Sequence, residues 1–256
     1  MKKLLSTLFI SIFFSISLIG QNIGDSPQTK LGFTITINSQ NLNDSVKLFV
    51  HYPFNYDSGK EFPLVLLLDA NTSFKAFSAC TELMAYEKSI PSCIVVGFPQ
   101  YKYADFDNEN IESKMDNLSK FFEKELLPYL QSKYNITKTI IWGQGSQSGL
   151  ISSFMMIEYP YLFNGYISDV PDLSLMQERA YSEKAFDKLK DKKLNYYLFG
   201  NSAYNILNET FLNNLKANAP EGLSWNYAIS DERNTIIYFL NNYMHATELF
   251  FKDKEE

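Results

Sequence analysis

Short apolar runs alternate with helical sequence along most of this chain, and this alternation limits the possible folds more than any other feature. Near-continuous apolar strands joined through helices are typical of a parallel sheet that is covered on both faces. Two earlier segments, 31–39 and 45–52, flank a polar turn and predict an antiparallel strand pair. The sequence therefore predicts an α/β fold with a mostly parallel central sheet, an N-terminal antiparallel strand pair and helices on both faces. Further strands are predicted at 63–69, 93–98, 137–143, 163–170, 194–200 and 225–229.

Apolar residues at helical spacing mark the segments between these strands. One stripe runs from Leu118 to Leu130, and Pro128 within it should bend or restart the helix because proline has no N–H to donate. Other helices are predicted at about 72–88, 147–158, 177–190, 205–218 and 235–251.

Length and charge exclude several classes of protein. The 256 residues fit one domain, which we place at 31–256. The formal net charge is −6, and the lysines are interspersed with acidic residues, so the sequence predicts no basic surface of the kind that nucleic-acid binding needs. The Cys and His residues do not have the spacing of metal ligands, so neither a metal site nor another cofactor is predicted.

The first thirty residues look like an export signal and a linker. Lys2 and Lys3 precede an apolar stretch that ends at Gly20, which predicts a signal peptide at 1–20 with cleavage near Gly20–Gln21. Leu18 stands where a smaller residue is usual, so an uncleaved anchor is the alternative. Residues 21–30 form the linker. We expect a secreted or periplasmic protein with no membrane contact after cleavage.

Export would permit a disulfide between Cys80 and Cys93. The predicted elements argue against it, because Cys80 falls within a helix and Cys93 opens the strand that runs back beside that helix.

Residues 136–163 carry the most specific local pattern. A buried strand leads into a turn of small residues that bears Ser146, and an apolar helix follows and stops before Pro160. This is the layout of a nucleophile elbow, in which a sharp strand-to-helix turn presents a serine above the sheet. The N–H of the next residue, Gln147, would then serve as an oxyanion donor.

Several segments in order resemble the putative-esterase family of the α/β-hydrolase fold, which includes esterase D and the enterochelin esterases. The resemblance covers roughly 31–251 and implies a carboxylic-ester hydrolase. The matching pieces are Val50-His-Tyr-Pro53, Phe62 to Asp69, Ile94-Val-Val-Gly97, Glu125-Leu-Leu-Pro-Tyr129, the elbow, and Tyr159-Pro-Tyr-Leu-Phe163.

The position of the nucleophile has two readings under this resemblance. Matching Gly143-Gln-Gly145 to the family's Gly-x-Ser would replace the serine by glycine. Counting back from Pro160 and Phe163 instead aligns Ser146 with the family serine without a gap. We therefore predict Ser146 as the nucleophile at the apex of the turn, with Gln144 and Ser148 where the family has glycine.

The resemblance implies that the other triad positions are altered. The family acid corresponds to Ala203 and the family histidine to Asn234, which cannot take a proton from a serine near neutral pH. The two histidines of the chain lie elsewhere, His51 in an early strand and His245 in the last helix. Asp172 lies where some α/β hydrolases place their acid, but there is no imidazole for it to orient.

A second oxyanion donor is expected from the loop after the strand that ends at Asp69. The family uses a backbone N–H there, which corresponds to Ala70 or Asn71. We interpret the Asp69 side chain as a helix cap.

Two functions follow. One is a secreted carboxylic-ester hydrolase that uses Ser146, with activity weak or absent because the base and acid are missing. The other is a non-catalytic binding or scaffolding protein that keeps the hydrolase pocket. In both, the partner is a small-molecule ester or acyl ligand.

Overall fold

The described residues form one eight-stranded sheet with helices on both faces, which confirms the predicted α/β-hydrolase architecture. The strand order is β1-β2-β4-β3-β5-β6-β7-β8. Strands β3 to β8 are parallel, and β1 and β2 are antiparallel to their neighbours. The computed structural model describes residues 31–99, 102–103, 105–107, 109–176, 178–201, 205–230 and 235–252, excluding the side chains of 205–208.

The strands agree with the predicted apolar runs to within a few residues. They are β1 Phe33–Ser39, β2 Asp44–His51, β3 Phe62–Leu68, β4 Ile94–Phe98, β5 Ile136–Gln144, β6 Gly165–Asp169, β7 Leu194–Asn201 and β8 Leu223–Ser230. The helices are α1 Ala70–Tyr86, α2 Ile111–Phe121, α3 Leu127–Lys133, α4 Gly145–Glu158, α5 Glu178–Tyr181, α6 Asn205–Asn218 and α7 Ile236–Lys252.

Alternate residues of each central strand enter two separate cores. In β5, Ile140 and Trp142 pack with α1 and α7 on one face, and Ile141 packs with α2 to α6 on the other. This period of two explains why the strands read as continuous apolar runs, since both faces are buried.

Pro128 has the predicted effect on its helix. The chain widens into a π-helical turn at Phe122–Leu126, and α3 restarts with Pro128 in its first turn. Proline is tolerated there because the first N–H groups of a helix have no intrahelical partner.

The predicted helix at 177–190 is wrong. The structure has the short helix α5 and a separate 3₁₀ turn at Asp187–Leu189. The Nδ2 atom of Asn214 donates to the carbonyls of Ala180 and Ser182 at 2.9 and 2.8 Å. These bonds occupy carbonyls that a continuing helix would use, and so they favour the end of α5.

Cys80 and Cys93 are both free, in line with the argument against a disulfide. No helix in the described ranges is long and apolar enough to cross a membrane. The predicted signal peptide and linker lie outside the described residues.

Candidate active site

The candidate site lies at the carboxyl edge of the sheet, where three neighbouring strands leave in the same unusual conformation. Asp69 after β3, Gly145 after β5 and Val170 after β6 have φ angles of 55°, 76° and 48°. A left-handed backbone is costly for any residue but glycine, and most of all for a β-branched valine. Such strain concentrates at ligand and active sites.

The structure contradicts the prediction that Ser146 stands at the apex of the elbow. Gly145 has the left-handed φ, and Ser146 is the second residue of α4. The number of residues between Ser146 and Pro160 matches the family pattern for the helix. That number does not determine at which residue the strand ends and the turn begins. Glycine takes a positive φ at no steric cost, which is the signal that favoured Gly145.

A close approach between strand and helix fixes this geometry. A Cβ atom added to Gly143 would lie only 2.1 Å from the backbone oxygen of Ser148, which is too close for any side chain. A Cβ on Gly149 would lie 2.8 Å from the Asp169 oxygen. A Cβ on Gly145 would meet no atom of the described residues within 4 Å, so that part of the chain leaves the apex open.

Alanine substitutions should separate these roles. We expect Gly143→Ala to lower the free energy of unfolding by about 3 kcal/mol, because backbone atoms must move apart. Gly145→Ala should cost about 1–2 kcal/mol, which is the strain of its φ alone. Chemical denaturation of both variants measures the difference, and an equal or larger loss for Gly145→Ala would contradict this account.

The predicted oxyanion donors lie in the first turns of two helices. Ala70 is buried and Asn71 exposed, both at the start of α1, where the first N–H groups lack intrahelical partners. At the elbow, the N–H after the left-handed residue is that of Ser146, and Gln147 lies one residue further along. The shift of the apex therefore moves the expected donor by one position.

The interpretation of Asp69 as a helix cap is wrong in its chemistry. Asp69 does occupy the N-cap position of α1, but its side chain accepts no bond from a backbone N–H. Asp69 has a left-handed φ, whereas a residue that caps a helix with its side chain usually has an extended backbone. Its carboxylate instead accepts from the hydroxyl of Thr72 at 3.4 Å, and burial raises its pKa.

A buried acid at this edge was missed by the sequence interpretation. Asp169 ends β6 beside Gln144 of β5 and is completely buried. The Nδ2 atom of Asn242 on α7 donates to its Oδ2 at 3.0 Å. Among the described residues, the Oδ1 atom of Asp169 and the Oε1 atom of Gln144 have no hydrogen-bond partner. The available signal was a carboxylate that directly ends an apolar strand.

Burial raises the pKa of Asp169 to about 7, although hydrogen bonds from Asn242 and Tyr238 lower it in part. A protonated carboxyl has a hydrogen to donate, and Gln144 Oε1 across the strand pair is an acceptor. The site therefore holds a carboxyl group that gains and loses its proton near neutral pH.

Asp172 lies close to Ser146, but its contacts are structural. Its backbone N–H donates to the Ser146 carbonyl at 3.1 Å. Its carboxylate accepts from the backbone N–H and the hydroxyl of Ser174 at 3.2 and 2.5 Å, which forms a local turn.

Neither histidine is near the elbow. His51 pairs with Val95 at the amino end of β4, and its Nε2 atom is 3.5 Å from Glu82. His245 faces the middle of β7 and β8 beside Tyr197 and Ala228. The positions predicted for the triad, Asn234 and Ala203, lie outside the described residues. Within the described part, no group of acidic, Cys and His side chains could hold a metal ion.

Comparison with known proteins gives one family match. The sequence pattern of the family described as "Putative esterase" matches residues 39–192, well over half of the chain. No curated protein sequence gives a significant match.

Solved structures share the fold. An uncharacterised protein from Capnocytophaga ochracea DSM 7271 superposes with a TM-score of 0.73 and 21% identity, over 85% of this chain and 63% of that one. An IroE-like serine hydrolase from Shewanella oneidensis superposes with a TM-score of 0.73 and 19% identity, over 87% of this chain and 80% of that one. The enterobactin esterase FES from Shigella flexneri superposes with a TM-score of 0.67 and 15% identity, over 91% of this chain and 62% of that one. The chain thus spans less than two thirds of the first and last of these proteins.

Proposed function

This chain belongs to the putative-esterase family, and from that premise we propose that it binds a small ester or acyl compound at the carboxyl edge of its sheet without serine-hydrolase turnover. The observation that supports the proposal is the glycine at the left-handed apex of the elbow. An elbow without a side chain at that position has no hydroxyl to attack an acyl carbon.

The distribution of bases supports the same proposal. Serine attack needs a nearby group that accepts its proton, and imidazole is the usual one. Both histidines of the chain lie away from the elbow. The sequence resemblance further places Asn234 and Ala203 at the positions of the family's histidine and acid.

What remains at this edge can bind a ligand. The first N–H groups of α1 and α4 lack intrahelical partners, as at any helix N-terminus, and can donate hydrogen bonds to the oxygen atoms of a ligand. No described residue fills the space above Gly145. The N-terminal sequence supports export, so we place this binding in the periplasm or the medium.

A weak esterase that uses Ser146 is the second candidate. Ser146 is partly exposed in the first turn of α4, one residue past the apex. Its hydroxyl could reach a ligand bound at the edge. Losing the base costs serine hydrolases on the order of 10⁶ in turnover, so this activity would be slow.

Labelling with a fluorophosphonate distinguishes the two candidates. We expect the purified wild-type protein to show no more labelling than Ser146→Ala, because neither histidine of the chain is placed to activate the hydroxyl. Hydrolysis of p-nitrophenyl acetate should likewise equal the Ser146→Ala background. Stoichiometric labelling that Ser146→Ala abolishes would refute the binding proposal in favour of the esterase.

A further inference from the structure

A cleft of about 180 Å³ opens next to the first turn of α1, on the side of the sheet where β2 and β4 meet. It extends from Asn71 at the candidate site toward the turn between β1 and β2. Its lining residues are Asp44, Ser45, Lys47, Phe49, Asn71, Pro99, Lys102 and Tyr103.

One wall of this cleft is built by a carboxylate with two partners. Asp44 forms an ion pair with Lys102 and accepts a hydrogen bond from the Tyr103 hydroxyl at 2.6 Å. The Tyr103 ring stacks on Phe98 with centroids 5.5 Å apart. These contacts hold the β1–β2 turn against the segment that follows β4. They also neutralise the one acid among the lining residues.

Lys47 supplies a further cation to the lining of the cleft. It is exposed on β2, and no carboxylate in the described part of the chain lies within ion-pair distance of it. Phe49 is two residues further along the same strand, so both side chains lie on one face. Its ring packs 5.4 Å from Phe74 and forms an apolar surface beside the cation.

The end of the cleft nearest the elbow favours negative charge as well. Asn71 is the second residue of α1, and beyond the N-cap Asp69, whose pKa is raised by burial, the first turn of this 17-residue helix contains no acidic residue. The partial positive charge of a helix N-terminus attracts anions. A region of positive character stands out in a chain whose formal charge is −6.

We propose that this cleft is an anion subsite that holds a carboxylate or phosphate group of the ligand, with the ligand's apolar part against Phe49 and Pro99. The proposal rests on the proposed function, because the cleft opens from the same edge of the sheet. It defines the ligand class as organic anions and predicts that neutral compounds of the same shape bind poorly. Lys47 provides the charge, and Phe49 provides the apolar contact.

Calorimetric titration of the full-length protein with four probes tests this subsite. Benzoate and acetate are carboxylates with and without an aromatic ring, benzamide is the neutral counterpart of benzoate, and inorganic phosphate is the second anion. We expect benzoate to bind more tightly than benzamide and acetate. Lys47→Gln should weaken benzoate at least about 10-fold, the usual loss for a charge-assisted hydrogen bond. Lys60→Gln, at another exposed lysine, is the matched control and should change nothing.

Phe49→Ala separates the two parts of the site and the two kinds of anion. It should weaken benzoate but leave inorganic phosphate unchanged. Tighter binding of phosphate than of benzoate, lost in Lys47→Gln, would assign the subsite to phosphate esters. Equal affinity for benzoate and benzamide, or the same affinity in Lys47→Gln as in wild type, would overturn the proposal. Fluorophosphonate labelling is independent of these results, so a catalytic Ser146 would refute the proposed function and leave the subsite intact.

Discussion

The triple variant Gly145→Ser, Ala203→Glu, Asn234→His is expected to hydrolyse p-nitrophenyl acetate at least about 10³-fold faster than wild type. Serine, histidine and acid act as a unit, and each is nearly ineffective without the others. Among the described residues, no atom would obstruct a hydroxymethyl group on Gly145, and the left-handed backbone adds about 1–2 kcal/mol of strain. The other two changes follow the family pattern at positions assigned from sequence. Steady-state kinetics measures the gain.

Two matched controls identify the nucleophile. Replacing Gly145→Ser by Gly145→Ala in the triple variant adds the same Cβ without the hydroxyl and should return activity to background. Adding Ser146→Ala to the triple variant should leave activity in place. A large gain from Ala203→Glu with Asn234→His alone, lost on Ser146→Ala, would instead show that Ser146 is the working nucleophile.

The second large effect concerns Asp169 and pH. Because burial raises its pKa from 3.8 to about 7, the folded protein holds a proton that the unfolded chain releases. The resulting stabilisation is fully present below about pH 4 and is lost as the pH rises to 7. A difference of this size corresponds to about 4 kcal/mol. Asp169→Asn stays neutral and should remove this loss, so the variant should be more stable than wild type at pH 8.

Urea denaturation at pH 5 and pH 8 measures the effect. The gain in unfolding free energy from Asp169→Asn should be larger at pH 8 than at pH 5. Asp191→Asn, at an exposed position, is the control and should show no such pH dependence. An Asp169→Asn variant that is equally destabilised at both pH values would show that the carboxyl is needed for its hydrogen bonds and not its charge.

The sheet could be predicted because strand periodicity and burial are encoded in neighbouring residues. The apolar run around Ile140 and Trp142, for example, is apolar because both of its faces are covered. The break after α5 could not be predicted, since it depends on Asn214 from a distant helix. Local helical spacing contains no information about that contact.

The strand-to-helix turn was predicted, but its apex was not. The elbow follows from the strand, small residues and helix in order, whereas its apex depends on a single backbone angle at Gly145. Asp169 was missed because the sequence shows only a carboxylate near the end of a predicted strand, whereas its burial and its hydrogen bond depend on the distant helix α7. Both errors concern how the backbone or a distant helix surrounds a residue.

The glycine at the elbow also bears on how natural selection acts on this protein. A catalytic elbow holds a non-glycine residue in a left-handed conformation, which lowers the stability of the enzyme by about 1–2 kcal/mol. A chain with Gly145 does not have this backbone strain at the turn. Mutations elsewhere that would push a marginally stable enzyme below its folding threshold can then persist here, which widens the range of sequences open to drift.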